Sequence, residues 1–500
     1  MKRDTTQFPN IPYDLLVIGG GINGAAVANM AAQNKLRVAL LEKGDFASGT
    51  SSKSTKLIHG GLRYLEHFDF GLVRESLHER TAQMRIAPHL VKPLGFIIPV
   101  YKKDPRPLWM MKLGVSIYDL LSGKDIIHPF KPLTAEEVIH FIPGIKRDGL
   151  TGGLIYWDAQ MDDARLVLEN ILQADFNGAH MANYVEVRMI LKENGKAVGV
   201  TAKDLLTGAT FDVRAKQIVC AVGPWTNFFQ RKERSDSPAR VRTTKGVHIV
   251  YQGQFCRHAV FIQSRSDKRI FFMVPWYGNT MIGTTDTDYE QNPDDVKVEA
   301  EDIQYLFQEA GRVFPDETFV DEKIISTFAG LRPLVHKDDA APEKVSRKHV
   351  INRSFSGMQY IMGGKYTTYR VIARESLMQL TLRKPGELNT SLTVYGGGEP
   401  ALTLEQICEK YGVSDDVAQM LVQTYGSRVE DVLRLTEGDA ALRERLDPAF
   451  PYIKAQLKYA VSVEMACSAD DIIWRRLPLA YQGLDTPEIR STIEDQFLPV

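Results

Sequence analysis

The chain has 500 residues, with 61 Lys and Arg against 62 Asp and Glu and a formal net charge of −1. That length exceeds one compact core, and the charge balance excludes a nucleic-acid binder that works by bulk electrostatics. The cysteines Cys220, Cys256, Cys408 and Cys467 form no CxxC pair, which excludes a zinc ribbon, a thioredoxin motif and a disulfide scaffold and fits a reducing compartment.

In chain order, Tyr13–Ile18 reads as a buried strand, residues 19–24 as a glycine-rich turn, and 25–33 as an Ala-rich helix. Residues 36–41 read as a second strand ending at Glu42. The run from Leu15 to Asn34 carries no charge and follows Lys2-Arg3, the superficial pattern of a secretory signal or a membrane span. Its glycines, asparagines and Gln33 break the apolar character, so we read strand, turn and helix, in a chain that is cytosolic or rests on a membrane surface. Residues 45–64 form a Ser-, Thr- and Gly-rich loop that enters a helix, and 72–84 has helical periodicity. Residues 89–150 are punctuated by prolines and hold an apolar stretch at 108–121. Residues 162–176 are helical, 184–222 are strands with turns at Asn194-Gly195 and Thr207-Gly208, and 241–285 are further strands. Residues 301–313 are helical, and after Gly396-Gly397-Gly398 the pattern becomes mostly helical, which marks a separate C-terminal domain.

Gly19-x-Gly21-x-x-Gly24 has the dinucleotide-binding spacing, in the required context of strand, helix and second strand with Glu42 at its end. Gly19 permits the turn, Gly21 admits a diphosphate, and Gly24 lets helix and strand pack closely, while the helix N-terminus supplies N–H groups to the phosphate charge. Glu42 is placed to accept from ribose hydroxyls, which disfavours a 2′-phosphate. The next segment is not another βαβ unit but Ser48-Gly49-Thr50-Ser51-Ser52-Lys53-Ser54, whose hydroxyls suit a long ligand with many polar atoms.

Thr50-Ser51-Ser52, followed by Lys56-Leu57-Ile58-His59-Gly60-Gly61-Leu62-Arg63-Tyr64-Leu65-Glu66, resembles the FAD-dependent glycerol-3-phosphate dehydrogenases of the D-amino-acid-oxidase-like superfamily. So do Val222-Gly223-Pro224-Trp225, Ile282-Gly283-Thr284-Thr285-Asp286, Gly330-Leu331-Arg332-Pro333-Leu334 and Gly363-Gly364-Lys365-Tyr366-Thr367-Thr368-Tyr369-Arg370. The C-terminal domain resembles that family through Ile473-Trp474-Arg475-Arg476, and departs from it at Leu477-Pro478-Leu479-Ala480. The resemblance implies an α/β fold: a Rossmann-like FAD domain of 1–88, 151–240 and 331–390, an antiparallel β cap of 89–150 and 241–330, and helices over 391–500. It also implies a set of FAD-contacting residues. These are Gly19, Gly21, Asn23, Gly24, Glu42, Thr50, Ser51, Ser52, Lys56, Ile58, His59, Gly60, Gly61, Val185, Gly223, Trp225, Asp286, Gly364, Lys365, Thr367 and Thr368.

The implied substrate is sn-glycerol 3-phosphate, oxidised at C2 to dihydroxyacetone phosphate. Its phosphate calls for cations, best supplied as guanidinium forks. Arg63, Arg332, Arg347 and Lys365 are the candidates, with Tyr64 beside them. His248 is the expected base for the C2 hydroxyl and His59 a flavin neighbour. Arg332 and Lys365 complete the catalytic set, Lys365 through the negative charge that a reduced flavin develops.

The resemblance further implies a membrane quinone as acceptor, peripheral contact with the inner face of the cytoplasmic membrane, and a homodimer. Leu108 to Val115, with Trp, Met and Lys, is the candidate membrane-touching segment. No insertion of the kind oxygen-using oxidase relatives carry precedes the C-terminal region, which favours a dehydrogenase. The competing readings are a glycerol-3-phosphate oxidase, an amine or amino-acid oxidase of the same superfamily, and a non-catalytic FAD-binding subunit.

Overall fold

The computed structural model describes residues 1–264, 269–335, 349–380 and 388–498. The first of two large sheets has a parallel centre. Tyr13–Ile18 lies between Val38–Leu41 and Thr210–Cys220, His180–Ala182 flanks the former and Gln359–Met362 the latter. These short runs of Leu, Val, Ile and Ala are buried on both faces, as parallel strands require. The helices Ile22–Gln33, Asp163–Phe176 and Tyr369–Gln379 pack on one face, where Ala25, Ala28 and Ala32 allow a close approach. The other face is covered by a meander of Val185–Glu193 and Lys196–Asp204 that leads into Thr210–Cys220. Its first turn takes positive φ at both Asn194 and Gly195, as the sequence pair predicts.

The second sheet has ten strands among the described residues, with Val241–Tyr251, Asn279–Gly283, Ile270–Trp276, Ala259–Gln263, Val91–Tyr101 and Leu150–Met161 in that spatial order. Ala300–Val313 and Ala135–Phe141 cover one face, and Phe70–Ile86 and Leu108–Ser122 lie towards the other. Two features differ from the expected cap. Leu150–Met161 pairs along its length with Val91–Tyr101, and Ile324–Val335 with Val241–Tyr251, so this sheet extends past residues 150 and 330. The sheet is also mixed, because Ala259–Gln263 runs parallel to Val91–Tyr101. A strand joins the sheet that leaves it fewest unpaired backbone groups, and local sequence pattern does not encode that choice.

Leu57–Ile58 pairs with the end of Leu150–Met161, so the segment from Thr50 to Gly61 starts at the glycine turn and ends in the second sheet. The C-terminal helices Leu404–Tyr411, Asp415–Tyr425, Val429–Leu433, Lys454–Ser462 and Pro487–Gln496 build their own cores. Tyr481 leaves them to pack edge-on against Trp276 and Phe328 of the second sheet.

Candidate functional site

The glycine turn forms a cradle that side chains cannot fill. Gly19 has φ +106°, and a Cβ on Gly24 would fall 1.9 Å from the Gly19 carbonyl oxygen. Gly21 caps the helix Ile22–Gln33 without a side-chain hydrogen bond. Ser51 Oγ accepts from the Ile22 N–H at 3.0 Å. Asn23 Oδ1 is buried with no partner among the described residues. Glu42 accepts from Gly20 N–H at 2.6 Å and Gly44 N–H at 2.8 Å. Burial raises its carboxyl above the usual range, with those two N–H groups opposing. A helix N-terminus that the side chain of its cap, Gly21, leaves uncovered, and an acid at the second strand's end, fit an adenine dinucleotide.

The Thr50–Gly61 segment gathers the other predicted residues along its length. Thr50 Oγ1 donates to the Leu331 carbonyl at 2.6 Å, next to Arg332. Arg332 pairs with Asp286 at 3.0 Å and donates to Thr284 Oγ1 at 2.9 Å. Thr55 Oγ1 lies 2.9 Å from His248 Nε2. The His248 ring stacks on Phe328, with centroids 4.9 Å apart, and a Cβ at Gly283 would meet it at 2.2 Å. His248 is 2% exposed, sealed rather than lining an open wall. Burial, then Arg332 and Lys56, hold its pKa well below the ordinary histidine value. At the segment's end, Lys365 Nζ sits 3.7 Å from the Tyr64 ring centre. It makes long contacts to Gly60 O at 3.4 Å and Ser76 Oγ at 3.2 Å. Arg63 lies beside Tyr64 and lines an adjoining cavity. Thr367 Oγ1 meets both the His59 N–H and the His59 carbonyl at 3.3 Å.

Lys56 and Ile58 are not placed for ligand contact. Ile58 is fully buried. Lys56 Nζ is taken by Asp163 at 2.6 Å and the Ser52 carbonyl at 2.6 Å. Its N–H and carbonyl are bonded to Ser54 and Met161. Asp163 more than offsets the effect of burial and raises the lysine pKa. Thr367 and Thr368 turn their hydroxyls into the protein, the latter to the Lys365 carbonyl at 3.4 Å. Val185 gives its N–H to the Glu42 carbonyl at 2.7 Å, and Ser52 and Gly61 are also buried. Gly223 takes positive φ beside Trp225, whose Nε1 donates to Asp294 at 2.9 Å under Lys43. Gly364 precedes Lys365 with φ +93°. Arg347 lies outside the described residues.

Sequence reading missed three participants. Thr55 hides among hydroxyl residues, in the gap between the motif segments Thr50-Ser51-Ser52 and Lys56 to Glu66. Asp158 is a buried acid that accepts from Arg80 at 2.8 Å, Tyr118 at 2.7 Å and the Gly60 N–H at 3.4 Å. Asp45 is reached by two arginines from the far end of the chain.

A cavity of about 900 Å³ lies beside Arg63. Phe68, Ile98, Met110, Leu113 and Phe261 line it. The helix Leu108–Ser122 on its wall leaves Trp109, Leu113 and Leu120 exposed at 66%, 55% and 79%. Among the described residues, no helix is long and apolar enough to cross a membrane.

Residues 14–370 match the family described as FAD dependent oxidoreductase. Residues 389–489 match the C-terminal domain of alpha-glycerophosphate oxidase. A glycerol-3-phosphate dehydrogenase of Synechocystis sp. is 38% identical over 96% of this chain and 91% of that protein. The mitochondrial glycerol-3-phosphate dehydrogenase of Homo sapiens is 36% identical over 95% of this chain and 68% of that protein. The crystal structure of the Bacillus halodurans glycerol-3-phosphate dehydrogenase, complexed with FAD, superposes with a TM-score of 0.78 at 30% identity. It covers 98% of this chain and 94% of that one.

Proposed function

This chain belongs to the family of FAD-dependent glycerol-3-phosphate dehydrogenases and oxidises glycerol 3-phosphate, and we propose that it does so at C2, with a membrane quinone as final acceptor. The observation that carries the reading is the convergence of His248, Lys365 and, through its neighbour Leu331, Arg332 on the one segment Thr50–Gly61.

FAD supplies the two-electron acceptor when bound. Gly19, Gly21 and Asn23 would hold its diphosphate, Glu42 its ribose, and Ser51, His59 and Gly364 the rest of the cleft. The substrate phosphate carries about −1.5 to −2 charges. Arg63, Arg332 and Lys365 answer it with charge-assisted hydrogen bonds from guanidinium and ammonium groups. Arg332 is already oriented by Asp286 and Thr284, so little freedom is lost on binding. His248 is kept neutral by burial and its cationic neighbours. A ring nitrogen therefore has a lone pair for the C2 hydroxyl proton. Thr55 fixes the ring at Nε2, while Nδ1 has no partner among the described residues.

The apolar cavity beside Arg63 supports the quinone assignment, because it suits a flat, weakly polar ring and opens beside the exposed face of Leu108–Ser122. That face, with Trp109 at its start, suits contact with a membrane surface. The test is anaerobic bleaching of the flavin by sn-glycerol 3-phosphate, with glycerol, glycine and sarcosine in parallel. Bleaching by glycerol 3-phosphate alone, followed by reoxidation faster with a quinone than with oxygen, is the expected result. Bleaching by an amine, or faster reoxidation by oxygen, overturns it.

A further inference from the structure

Ile472–Arg476 is a short π-helical turn near the end of the chain, and it reaches back to the loop that follows Glu42. Arg476 is buried and grips Asp45 with two bonds, 2.7 Å to Oδ2 and 2.8 Å to Oδ1. Arg475 Nε adds a third at 2.6 Å, and its NH2 bonds Asp471 at 2.7 Å. Asn183 Nδ2 donates to Asp45 Oδ1 at 3.1 Å and to the Met465 carbonyl at 2.9 Å. Tyr184 repeats the link, with its N–H on the Gly44 carbonyl at 2.8 Å and its hydroxyl on Asp471 at 2.7 Å.

The gripped loop is the wall of the nucleotide cradle. Gly44 N–H holds Glu42 Oε1 and Ala47 N–H holds the Gly20 carbonyl at 3.0 Å. Phe46 is buried against Gly20, where a Cβ would meet its ring at 2.8 Å. Moving Asp45 therefore moves Glu42 and the turn at Gly20 together. Two guanidinium groups on one buried carboxylate form a strong directional tie, far stiffer than a surface ion pair.

We propose that the C-terminal helical domain is a cofactor-retention element, in which Arg475 and Arg476 act as positioning residues that set the adenosine end of the FAD site through Asp45. This rests on the FAD reading above, and a purified holoenzyme with oxidised-flavin absorbance establishes that reading before the test begins. The variant is Arg475→Gln, which leaves Arg476 to neutralise Asp45. FAD release from diluted holoenzyme is followed by the rise of flavin fluorescence, with far-UV circular dichroism in parallel. We expect release about tenfold faster at unchanged secondary structure, with Arg475→Lys restoring most of the retention. Saturating FAD returns turnover to the wild-type rate, because neither arginine touches the substrate cluster. Should Arg475→Gln fail to fold, Tyr184→Phe removes one tether and keeps both guanidinium groups, with release about threefold faster. Release within twofold of wild type in the folded variant, or release only in step with loss of the dichroism signal, overturns the proposal.

Discussion

At the seam with the C-terminal helices, Lys56 is 1% exposed and held by Asp163, the Ser52 carbonyl and the ring of Tyr481. Beside the end of the Thr50–Gly61 segment, Lys365 lies over Tyr64 with contacts of 3.2 to 3.4 Å to Ser76 and Gly60. The arginines divide the same way. Arg476 is 1% exposed on Asp45, whereas the Arg332 side chain is 20% exposed on Asp286. A cation whose every donor is taken in a dry seam stabilises the fold and has nothing to offer a ligand. A cation that keeps part of its surface open to solvent, as Arg332 does, can reorganise around a phosphate. Residue type and motif membership are the same on both sides, so environment decides the role.

The sharpest break between the regions is kinetic. His248→Asn is expected to lower kcat by about 10²–10⁴-fold while the melting temperature stays within a few degrees, measured by steady-state assay and calorimetry. At the seam, Lys56→Met leaves Asp163 buried without its counter-charge, and we expect about 3–5 kcal/mol of destabilisation by denaturant titration. In the cleft, Lys365→Met is expected to cost about 10–100-fold in kcat/KM with little change in stability, reversing the Lys56 pattern. A Lys365 variant that unfolds, or a Lys56 variant that folds normally but loses activity, would erase the distinction.

Acid sharpens it further. Burial pushes the Asp45 carboxyl up, but Arg476 and Arg475 outweigh this and hold it at about 2, below the usual 3.8. A depressed carboxyl contributes stability above its unfolded pKa and loses it as pH falls through the folded one. The seam therefore weakens as pH falls from the ordinary carboxylate range towards 2, a loss absent in Asp45→Asn. His248 moves in a different window. Its lowered pKa places the acid limb of kcat/KM below pH 6.5, read from a pH–rate profile.

Much of this was legible in the sequence where the signal is local. The glycine spacing marked the cradle because only Gly19 and Gly24 tolerate that backbone approach. Asn194-Gly195 marked a hairpin because both residues must take positive φ. The helices expected over 162–176 and 301–313 form as Asp163–Phe176 and Ala300–Val313. Long-range choices were not legible. Nothing near Leu150–Met161 states that Val91–Tyr101 is its partner, and nothing near Asp45 foretells Arg476. Lys56 was read as a cofactor contact because its string is specific, yet the Asp163 that seals it lies in a different helix.

The strand order of the first sheet also governs how the chain is made. Tyr13–Ile18 leaves the ribosome first, but its neighbour Thr210–Cys220 comes some 200 residues later, and Gln359–Met362 later still. At about 5–20 residues per second, roughly 17–70 s of synthesis separate the first of these strands from the last. Until Thr210–Cys220 is made, Tyr13–Ile18 has Val38–Leu41 on one side and an unpaired edge on the other, and an apolar edge left open in a nascent chain invites wrong pairing.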